Sequence, residues 1–228
     1  MEETIHIYIE SILKSEKGAV SATKKRLWPS LIVSIRWLFK NPISERTIIQ
    51  NGLGLTVINS LAIAVEGFLC DLLVDYHDNY KAEKPEIINR IENSNWNSKV
   101  KLYNRTFENK ITQCTCYDSV KILLLLRNNT AHGRTHREKG VMPTDNPDTY
   151  KMNSLDYNYQ EARQYFQKMR LIAENDKFSN VESLWQIRNV LFLFTQIEIF
   201  LNSLLENSKS EKFDSIKSEL NNAFKMTI

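Results

Sequence analysis

Glycine and proline are both scarce in this chain, which has six glycines and five prolines among 228 residues. Turns and loops rely on these two residue types, so their scarcity favours helices over a loop-rich β architecture. Charged residues make up 25% and hydrophobic residues 42% of the chain, an ordinary balance for a soluble globular protein. A chain of this length buries enough surface to fold as one domain without disulfides or a metal ion.

Cysteine is equally scarce, and its three copies are Cys70, Cys114 and Cys116. Such an odd and sparse set does not form a disulfide framework, and it favours a reducing compartment. The first ten residues, MEETIHIYIE, are acidic where a secretory signal is basic, and no apolar segment of the kind that precedes a cleavage site follows them. The sequence therefore predicts a cytoplasmic protein.

Long uncharged runs are few as well. The run TIIQNGLGLTVINSLAIAV, residues 47 to 65, is nearly long enough to cross a bilayer. It is too polar for a membrane span, because it contains Gln50, Asn51, Asn59 and Ser60. We interpret it as a buried helix and expect no membrane association.

The common cofactor and metal motifs are absent from the sequence. NGLGLTV has neither the third glycine nor the preceding strand of a dinucleotide-binding fingerprint, and no Gly-Lys-Ser/Thr phosphate loop occurs. Cys114 and Cys116 have no second cysteine pair to complete a zinc site. His132 and His136 have the four-residue spacing of a metal pair, but Gly133 is expected to end the helix between them and no third ligand is evident. We therefore expect neither a cofactor nor a metal.

Apolar residues recur at intervals of three and four along nearly the whole chain, which indicates amphipathic helices. The pattern predicts an all-α fold, an up-down helical bundle in a single domain of residues 1–228 with its core at about 50–208. Residues 1–45 are expected to form an N-terminal helical extension, and additional helices to follow at the C-terminus. Helices are predicted near residues 2–14, 29–40, 53–76, 117–132, 157–175, 180–207 and 210–224, with one or two more between 84 and 111.

Positive charge is weak overall but locally concentrated. The formal net charge of +3 is too small to indicate a nucleic-acid binder by itself. Residues 121 to 140 carry five basic residues against Glu138 alone, a net of +4, so the rest of the chain sums to −1. Residues 134 to 150 also contain a glycine and two prolines and are predicted to form an exposed loop. The five basic residues are Lys121, Arg127, Arg134, Arg137 and Lys139.

Glu66 falls among apolar neighbours on the predicted long helix. The residues three and four positions away from it are Ala62, Ile63, Leu69 and Cys70. Its carboxylate is therefore expected to face inwards, whereas Asp71, Asp75 and Asp78 fall on a separate polar stripe. A buried carboxylate needs a partner, and an arginine from a neighbouring helix is the natural one. The pattern fits an ordinary structural ion pair as well as a functional role.

The segment LLLLRNNTAHGRTH, residues 123 to 136, breaks abruptly from leucines to polar and basic residues. Arg127 shares a helix face with the apolar Val120, Leu123 and Leu124. Because its guanidinium stays charged, it needs an anion or other acceptors there. His132 falls in the last turn of the helix, whose negative end favours imidazolium. Asn128, four residues before His132, shares its face and has an amide able to orient the ring.

These residues offer a fixed cation for a phosphate and an imidazole that titrates near neutral pH. Metal-free RNA cleavage needs a base for the 2'-hydroxyl proton, a cation for the charge that develops on the phosphorane, and an acid for the leaving 5'-oxygen. One chain supplies only one well-placed histidine. A two-fold dimer would bring a second Arg127 and a second His132 into the same cleft.

The spacing from arginine to histidine carries little information, because it would occur about 0.6 times by chance in a chain of this composition. Requiring asparagine directly after the arginine and glycine directly after the histidine lowers that chance to roughly one in a thousand. The pair Arg188-Asn189 in LWQIRNVLFLF is an internal control, since no histidine follows it. Asn128 and Gly133 therefore give the motif its specificity.

LLLLRNNTAHG, closing an apolar helix of an all-α chain, resembles the signature of the HEPN (higher eukaryotes and prokaryotes nucleotide-binding) superfamily. That signature is an arginine, a polar residue directly after it, and a histidine four to six residues beyond the arginine. Members of the family are helical bundles that typically dimerise, so that the motifs of both subunits line one cleft. Many of them are metal-independent ribonucleases that act as toxins or in defence against phage.

The resemblance implies roles for individual residues. Arg127 would stabilise the phosphate charge, Asn128 would orient the site and His132 would act as acid and base. Glu66 would support the motif, since acidic residues on the preceding long helix often do so in the family. The basic residues expected to hold flanking phosphates of the RNA are Lys121, Arg134, His136, Arg137 and Lys139.

The expected function is thus a cytoplasmic, homodimeric, metal-independent endoribonuclease that leaves a cyclic phosphate and a 5'-hydroxyl. RNA is the expected partner, together with an antitoxin or another defence-system protein. Some members pair with a nucleotidyltransferase antitoxin that modifies a tyrosine two residues after the histidine, and Arg134 stands at that position here. The sequence therefore does not support that form of regulation.

Two alternatives stay open at the level of sequence. The first is a catalytically inactive helical module that binds a nucleotide, an RNA or a protein through the same cleft, and it predicts saturable binding without turnover. The second is a structural protein in which Arg127 pairs with Glu66 and His132 caps its own helix. It predicts that reversing the charge of Arg127 lowers stability and leaves RNA unaffected.

Overall fold

The computed structural model describes residues 26–41, 47–81, 84–131, 139–141, 151–153, 157–172, 184–208 and 213–225. Across these residues the fold is all-α, as the apolar spacing predicts, and the strands among them form one short antiparallel hairpin. The helices are α1 (Trp28–Lys40), α2 (Thr47–Asn79), α3 (Pro85–Glu92), α4 (Trp96–Phe107), α5 (Tyr117–Ala131), α6 (Tyr157–Lys168), α7 (Ile187–Glu206) and α8 (Asp214–Lys225). A 3-10 turn, Ile111–Gln113, precedes α5, and the strands are β1 (Lys139–Val141) and β2 (Lys151–Asn153).

Several predicted element limits are explained by local chemistry. α1 has Pro29 in its first turn and ends before Pro42, as expected from the restrictions that proline places on the backbone. α6 stops well before residue 175, because Arg170 adopts a left-handed conformation (φ 57°) and the Leu171 amide donates back to the Phe166 carbonyl at 2.9 Å. The predicted loop contains β1, which is too short to show a strand pattern. The helix predicted near residues 2–14 lies outside the described residues.

α2 is the central helix, and α1, α3, α4, α5 and α7 all pack against it. Much of its uncharged run from Val57 onwards is buried among these neighbours, whereas Thr56 and Ile63 are exposed. Among the described helices, α2 and α7 are each long and apolar enough to cross a membrane, and 61% and 50% of their apolar stretches are buried inside the protein. The fully buried side chains of the uncharged run include Val57, Ile58, Leu61, Ala62, Ala64 and Val65.

α1 and α8 belong to the same core, although the predicted core ended near residues 50 and 208. α1 packs against α2 and α8, and α8 also packs against α7. The core therefore extends beyond both predicted limits, and the described part of the predicted N-terminal extension is integral to it. The buried residues that these two helices contribute are Trp28, Ile32, Ile35, Ile216, Leu220, Ala223 and Phe224.

On the polar stripe predicted for the second half of α2, Asp71 and Asp75 are covered by other residues and Asp78 is exposed. Arg26, just before α1, forms ion pairs with Asp75 and with Glu219 of α8. The Trp28 indole donates a hydrogen bond to Asp71 at 3.1 Å. Asp71 and Asp75 are each only 14% exposed. The helical period correctly separates this face from the apolar one, but it does not show that a further helix packs against both.

α5 runs antiparallel to α2 and α6. Later residues of α5 contact earlier residues of each neighbour, through Arg127–Glu66 and Thr130–Asn59 with α2 and through Ser119–Tyr165 and Lys121–Glu161 with α6. The turn before α5 contacts α7 through Thr115–Ser203 and Cys116–Gln196. The end of α5 therefore lies beside the middle of α2.

Candidate functional site

Arg127 lies in the last two turns of α5 and forms an ion pair with Glu66 of α2, in which its Nη2 donates to Oε1. The two side chains are 27% and 31% exposed, so the pair sits at the edge of the core rather than in solvent. The prediction that Glu66 faces inwards and meets an arginine from a neighbouring helix is confirmed. The carboxylate fixes the position of the guanidinium and balances its charge.

The guanidinium of Arg127 keeps donors that Glu66 does not use. A guanidinium has five N–H donors in a rigid fork, and the bond to Glu66 uses one of them. Arg127 Nε is buried and has no hydrogen-bond partner among the described residues. Among the described residues, Glu66 is the partner recorded for this guanidinium, through Nη2 alone.

A second contact joins α5 to α2 one turn further along the motif helix. Thr130 Oγ1 lies 3.2 Å from Asn59 Oδ1 on α2 and 2.9 Å from the carbonyl oxygen of Arg127. Asn59 precedes Glu66 by seven residues, about two turns, so both lie on one face of α2. The last turns of α5 are therefore held to α2 at two polar points as well as by the apolar core.

The two asparagines after Arg127 have different surroundings. Asn128, the predicted orienting residue, is exposed on α5. Asn129 is buried, with 7% of its surface exposed, and its Nδ2 has no hydrogen-bond partner within the described part of the chain. A buried amide donor is normally satisfied. This difference between the two neighbouring asparagines was not predicted from the sequence.

Of the predicted RNA-contacting residues, Lys121 and Lys139 lie among the described residues. Lys121 is exposed on α5 and lies 3.5 Å from Glu161 of α6, with both side chains 53% exposed. Lys139 begins β1, where only the backbone is described. The remaining residues of the predicted site, His132, Arg134, His136 and Arg137, lie outside the described residues, as does Gly133.

Arg188 and Asn189 show how a similar dipeptide is used elsewhere in the fold. They lie in the first turn of α7, where Arg188 is exposed and Asn189 is fully buried. Arg127 and Asn128 have the opposite arrangement, with the arginine turned towards the protein and the asparagine exposed. The arginine of the motif thus differs from the internal control by its contact with the partly buried carboxylate of Glu66 as well as by its sequence context.

Cys114 and Cys116 do not supply a reactive group to this site. Burial raises the pKa of the Cys114 and Cys116 thiols, so both remain protonated at neutral pH and are weak nucleophiles. Cys116 Sγ donates to Gln196 Oε1 at 3.0 Å, in the turn before α5. Within the described ranges no three histidine, cysteine, aspartate or glutamate side chains are grouped as a metal site.

Asn59 and Thr130 were not predicted to be site residues. In the structure their contact joins the same two helices as the Arg127–Glu66 pair. In the sequence Asn59 appears only as a polar interruption of an apolar run. The available signal is its distance of two helical turns from Glu66, which puts both on one face. Recognising the contact also requires that α2 and α5 be antiparallel, which a helical period does not reveal.

Comparisons with protein-family models, with curated proteins and with solved structures gave no match to this chain. Its function therefore has to be inferred from the motif and from the arrangement of Glu66, Arg127 and their neighbours.

Proposed function

We propose that this protein is a metal-independent endoribonuclease of HEPN type, which acts as a homodimer with a shared arginine and histidine site. The observation that carries the proposal is the position of Arg127. Its guanidinium is partly buried and fixed by Glu66, and its Nε has no partner among the described residues. In the sequence Arg127 stands directly before Asn128 and five residues before His132. A preorganised cation of this kind is what stabilises charge that develops in a transition state.

The proposed reaction needs only groups that the motif supplies twice in a dimer. The His132 imidazole of one subunit takes the proton of the RNA 2'-hydroxyl, and the 2'-oxygen attacks the adjacent phosphorus. The bond to the 5'-oxygen breaks as the second imidazole donates a proton to it. The products are a 2',3'-cyclic phosphate and a 5'-hydroxyl, and Arg127 offsets the negative charge on the phosphorane.

The flanking basic residues give the site its affinity for RNA in this proposal. Arg134, His136, Arg137 and Lys139 follow the motif directly, and Lys121 precedes it on the exposed side of α5. Contacts with phosphates release counterions, so binding weakens steeply as the salt concentration rises. The toxin or phage-defence role, and with it an antitoxin or other partner protein, is part of the same proposal.

The Glu66 carboxylate favours a second candidate, a catalytically inactive module that binds RNA, a nucleotide or a protein at the same surface. Glu66 already balances the charge of Arg127, which weakens the attraction of the guanidinium for a phosphate. Such a module binds its ligand through Arg127 but does not turn it over.

Cleavage of a labelled single-stranded RNA in excess EDTA tests the proposal. The wild-type protein is expected to produce fragments with cyclic phosphate and 5'-hydroxyl ends. His132→Ala and Arg127→Ala are each expected to lower the rate by about a hundredfold or more. Undiminished cleavage by both variants would contradict the assignment of the site to Arg127 and His132. Saturable binding by a wild-type protein that leaves the RNA intact would favour the binding module.

A further inference from the structure

Among the described residues, Arg127 and Thr130 of α5 each make a polar contact with α2. The first is the ion pair of Glu66 with Arg127. The second joins Asn59 to Thr130, which stands two residues before His132. Because the helices are antiparallel, the second contact lies closer to the end of α5, where the described part of the helix stops at Ala131.

The Thr130 hydroxyl lies close to two acceptors, one in its own helix and one on α2. Its oxygen is 2.9 Å from the Arg127 carbonyl oxygen and 3.2 Å from Asn59 Oδ1. A hydroxyl has a single hydrogen, so it donates to one of these acceptors at a time. The oxygen and nitrogen of an asparagine amide are assigned from the surrounding network, and rotating the amide of Asn59 would let it donate to Thr130 while Thr130 donates to Arg127. The rotated orientation links α2 through Thr130 to the backbone of the motif, because both hydrogen bonds then form together.

The geometry points to Asn59 and Thr130 as positioning residues for the site, an inference that rests on the proposed function. Together they fix how the last turn of α5 is rotated about its axis and where it lies along α2. Arg127 lies in the same turn, with its carbonyl oxygen 2.9 Å from the Thr130 hydroxyl, and His132 follows Thr130 by two residues in the sequence. A misplacement of about 1 Å at a catalytic group is enough to slow a reaction by up to roughly a hundredfold.

A purely structural role for this pair is a weaker explanation. Asn59 and Thr130 are both partly exposed, while the contact between the helix cores is made by fully buried residues such as Leu123, Leu61 and Val65. Removing one hydroxyl at the edge of this core leaves its apolar packing in place. The loss should therefore appear in the placement of the helix end rather than in the stability of the bundle.

Thr130→Val tests the inference, because valine keeps the branched shape of the side chain and lacks only the hydroxyl. Asn59→Ala removes the partner on α2, and Thr130→Ser restores the hydroxyl. Thr195→Val is the matched control: Thr195 is an exposed helical threonine of α7 whose hydroxyl bonds to the Leu191 carbonyl at 3.2 Å. The readouts are kcat and KM for RNA cleavage, thermal stability, and hydrogen exchange of the backbone amides of residues 128–131.

We expect Thr130→Val and Asn59→Ala each to lower kcat by about tenfold or more, with KM nearly unchanged. Amide exchange should accelerate at residues 128–131 and stay unchanged in the first half of α5. Thr130→Ser should recover most of kcat, and Thr195→Val should match the wild type. The double variant should be no slower than the slower single variant, because both changes remove one contact.

Two results would overturn the inference. One is a wild-type kcat in Thr130→Val, and the other is a loss of kcat that simply follows a loss of stability, with faster exchange throughout the bundle. A wild-type protein that cuts no RNA would instead overturn the proposed function and the catalytic consequence with it. In that event the exchange of residues 128–131 still decides whether the pair fixes the end of α5.

Discussion

At the scale of single residues, the ion pair between Arg127 and Glu66 makes a contribution to stability that can be measured apart from the proposed chemistry. Pairs at a protein surface contribute little to stability, whereas removing one partner of a buried pair is costly. This pair lies between those limits, since each side chain is about 30% exposed. The pair of Lys121 on α5 with Glu161 on α6 is a natural comparison, because both of its side chains are 53% exposed.

Glu66→Gln should lower the free energy of unfolding by about 1 to 2 kcal/mol, because it leaves a partly buried guanidinium without a counter-charge. Glu161→Gln should change it by less than about 0.5 kcal/mol, because solvent screens the exposed pair. Urea denaturation of the two variants and the wild type measures both values. An equal effect of the two substitutions would show that burial does not distinguish the pairs.

Glu198 of α7 predicts a pH dependence of stability. Burial raises the pKa of its carboxyl above the ordinary value of 4.5, although the nearby Arg36 opposes the shift. The folded state then holds the proton more tightly than the unfolded state, so the contribution of Glu198 to stability falls as pH rises from 4.5 through the raised pKa. Glu198→Gln should therefore have a higher Tm than the wild type near pH 7 and the same Tm below about pH 4. A variant that is less stable near pH 7 would contradict the assignment.

At the scale of helices, the close approach of α2 and the residues before α7 depends on one glycine. A Cβ on Gly54 would lie 1.9 Å from the Trp185 carbonyl oxygen, which is backbone and cannot rotate away. Gly52, one half-turn earlier on the same helix, has no heavy atom within 4 Å of such a Cβ. The two glycines therefore have opposite expected responses to the same substitution.

Gly54→Ala should destabilise the protein by about 3 kcal/mol or more, because it forces the backbone segments apart. Gly52→Ala should stabilise it by about 0.5 to 1 kcal/mol, because alanine favours a helix interior. Thermal or urea denaturation of both variants provides the measurement. A Gly54→Ala variant as stable as the wild type would mean that α2 and Trp185 are further apart than described.

The helices themselves were largely predictable, because each has an apolar stripe with a period near 3.6 residues and many end at proline or at a polar cluster. The contacts between their polar faces were not. The sequence identifies Glu66 as inward-facing, yet it places Asp71 and Asp75 on an open stripe that Arg26 and Trp28 in fact cover. The contact of Asn59 with Thr130 has the same cause, since it depends on which helices pack together and in which direction.

At the scale of the whole molecule, the number of motif residues in one chain bears on the oligomeric state. One chain contains one Arg127 and one His132. The proposed reaction needs an acid and a base, so it predicts a two-fold dimer in which the ends of two α5 helices face a common cleft.

Specific activity should therefore fall on dilution through the range in which analytical ultracentrifugation shows the dimer dissociating. Mass action requires this result if the site is shared between subunits. Constant activity per chain at concentrations where the protein is monomeric would contradict a shared site. It would leave open a site contained within one chain.

The central claim is that Arg127, and not basic charge in general, serves the cleavage of RNA. Arg127→Ala and Arg188→Ala remove one arginine each, both followed by asparagine, so the two variants have the same net charge. The most direct measurement compares their rates of RNA cleavage in EDTA with that of the wild type, at a temperature where all three are fully folded. The account predicts a loss of about a hundredfold or more for Arg127→Ala and a wild-type rate for Arg188→Ala. Equal rates for the two variants would contradict it.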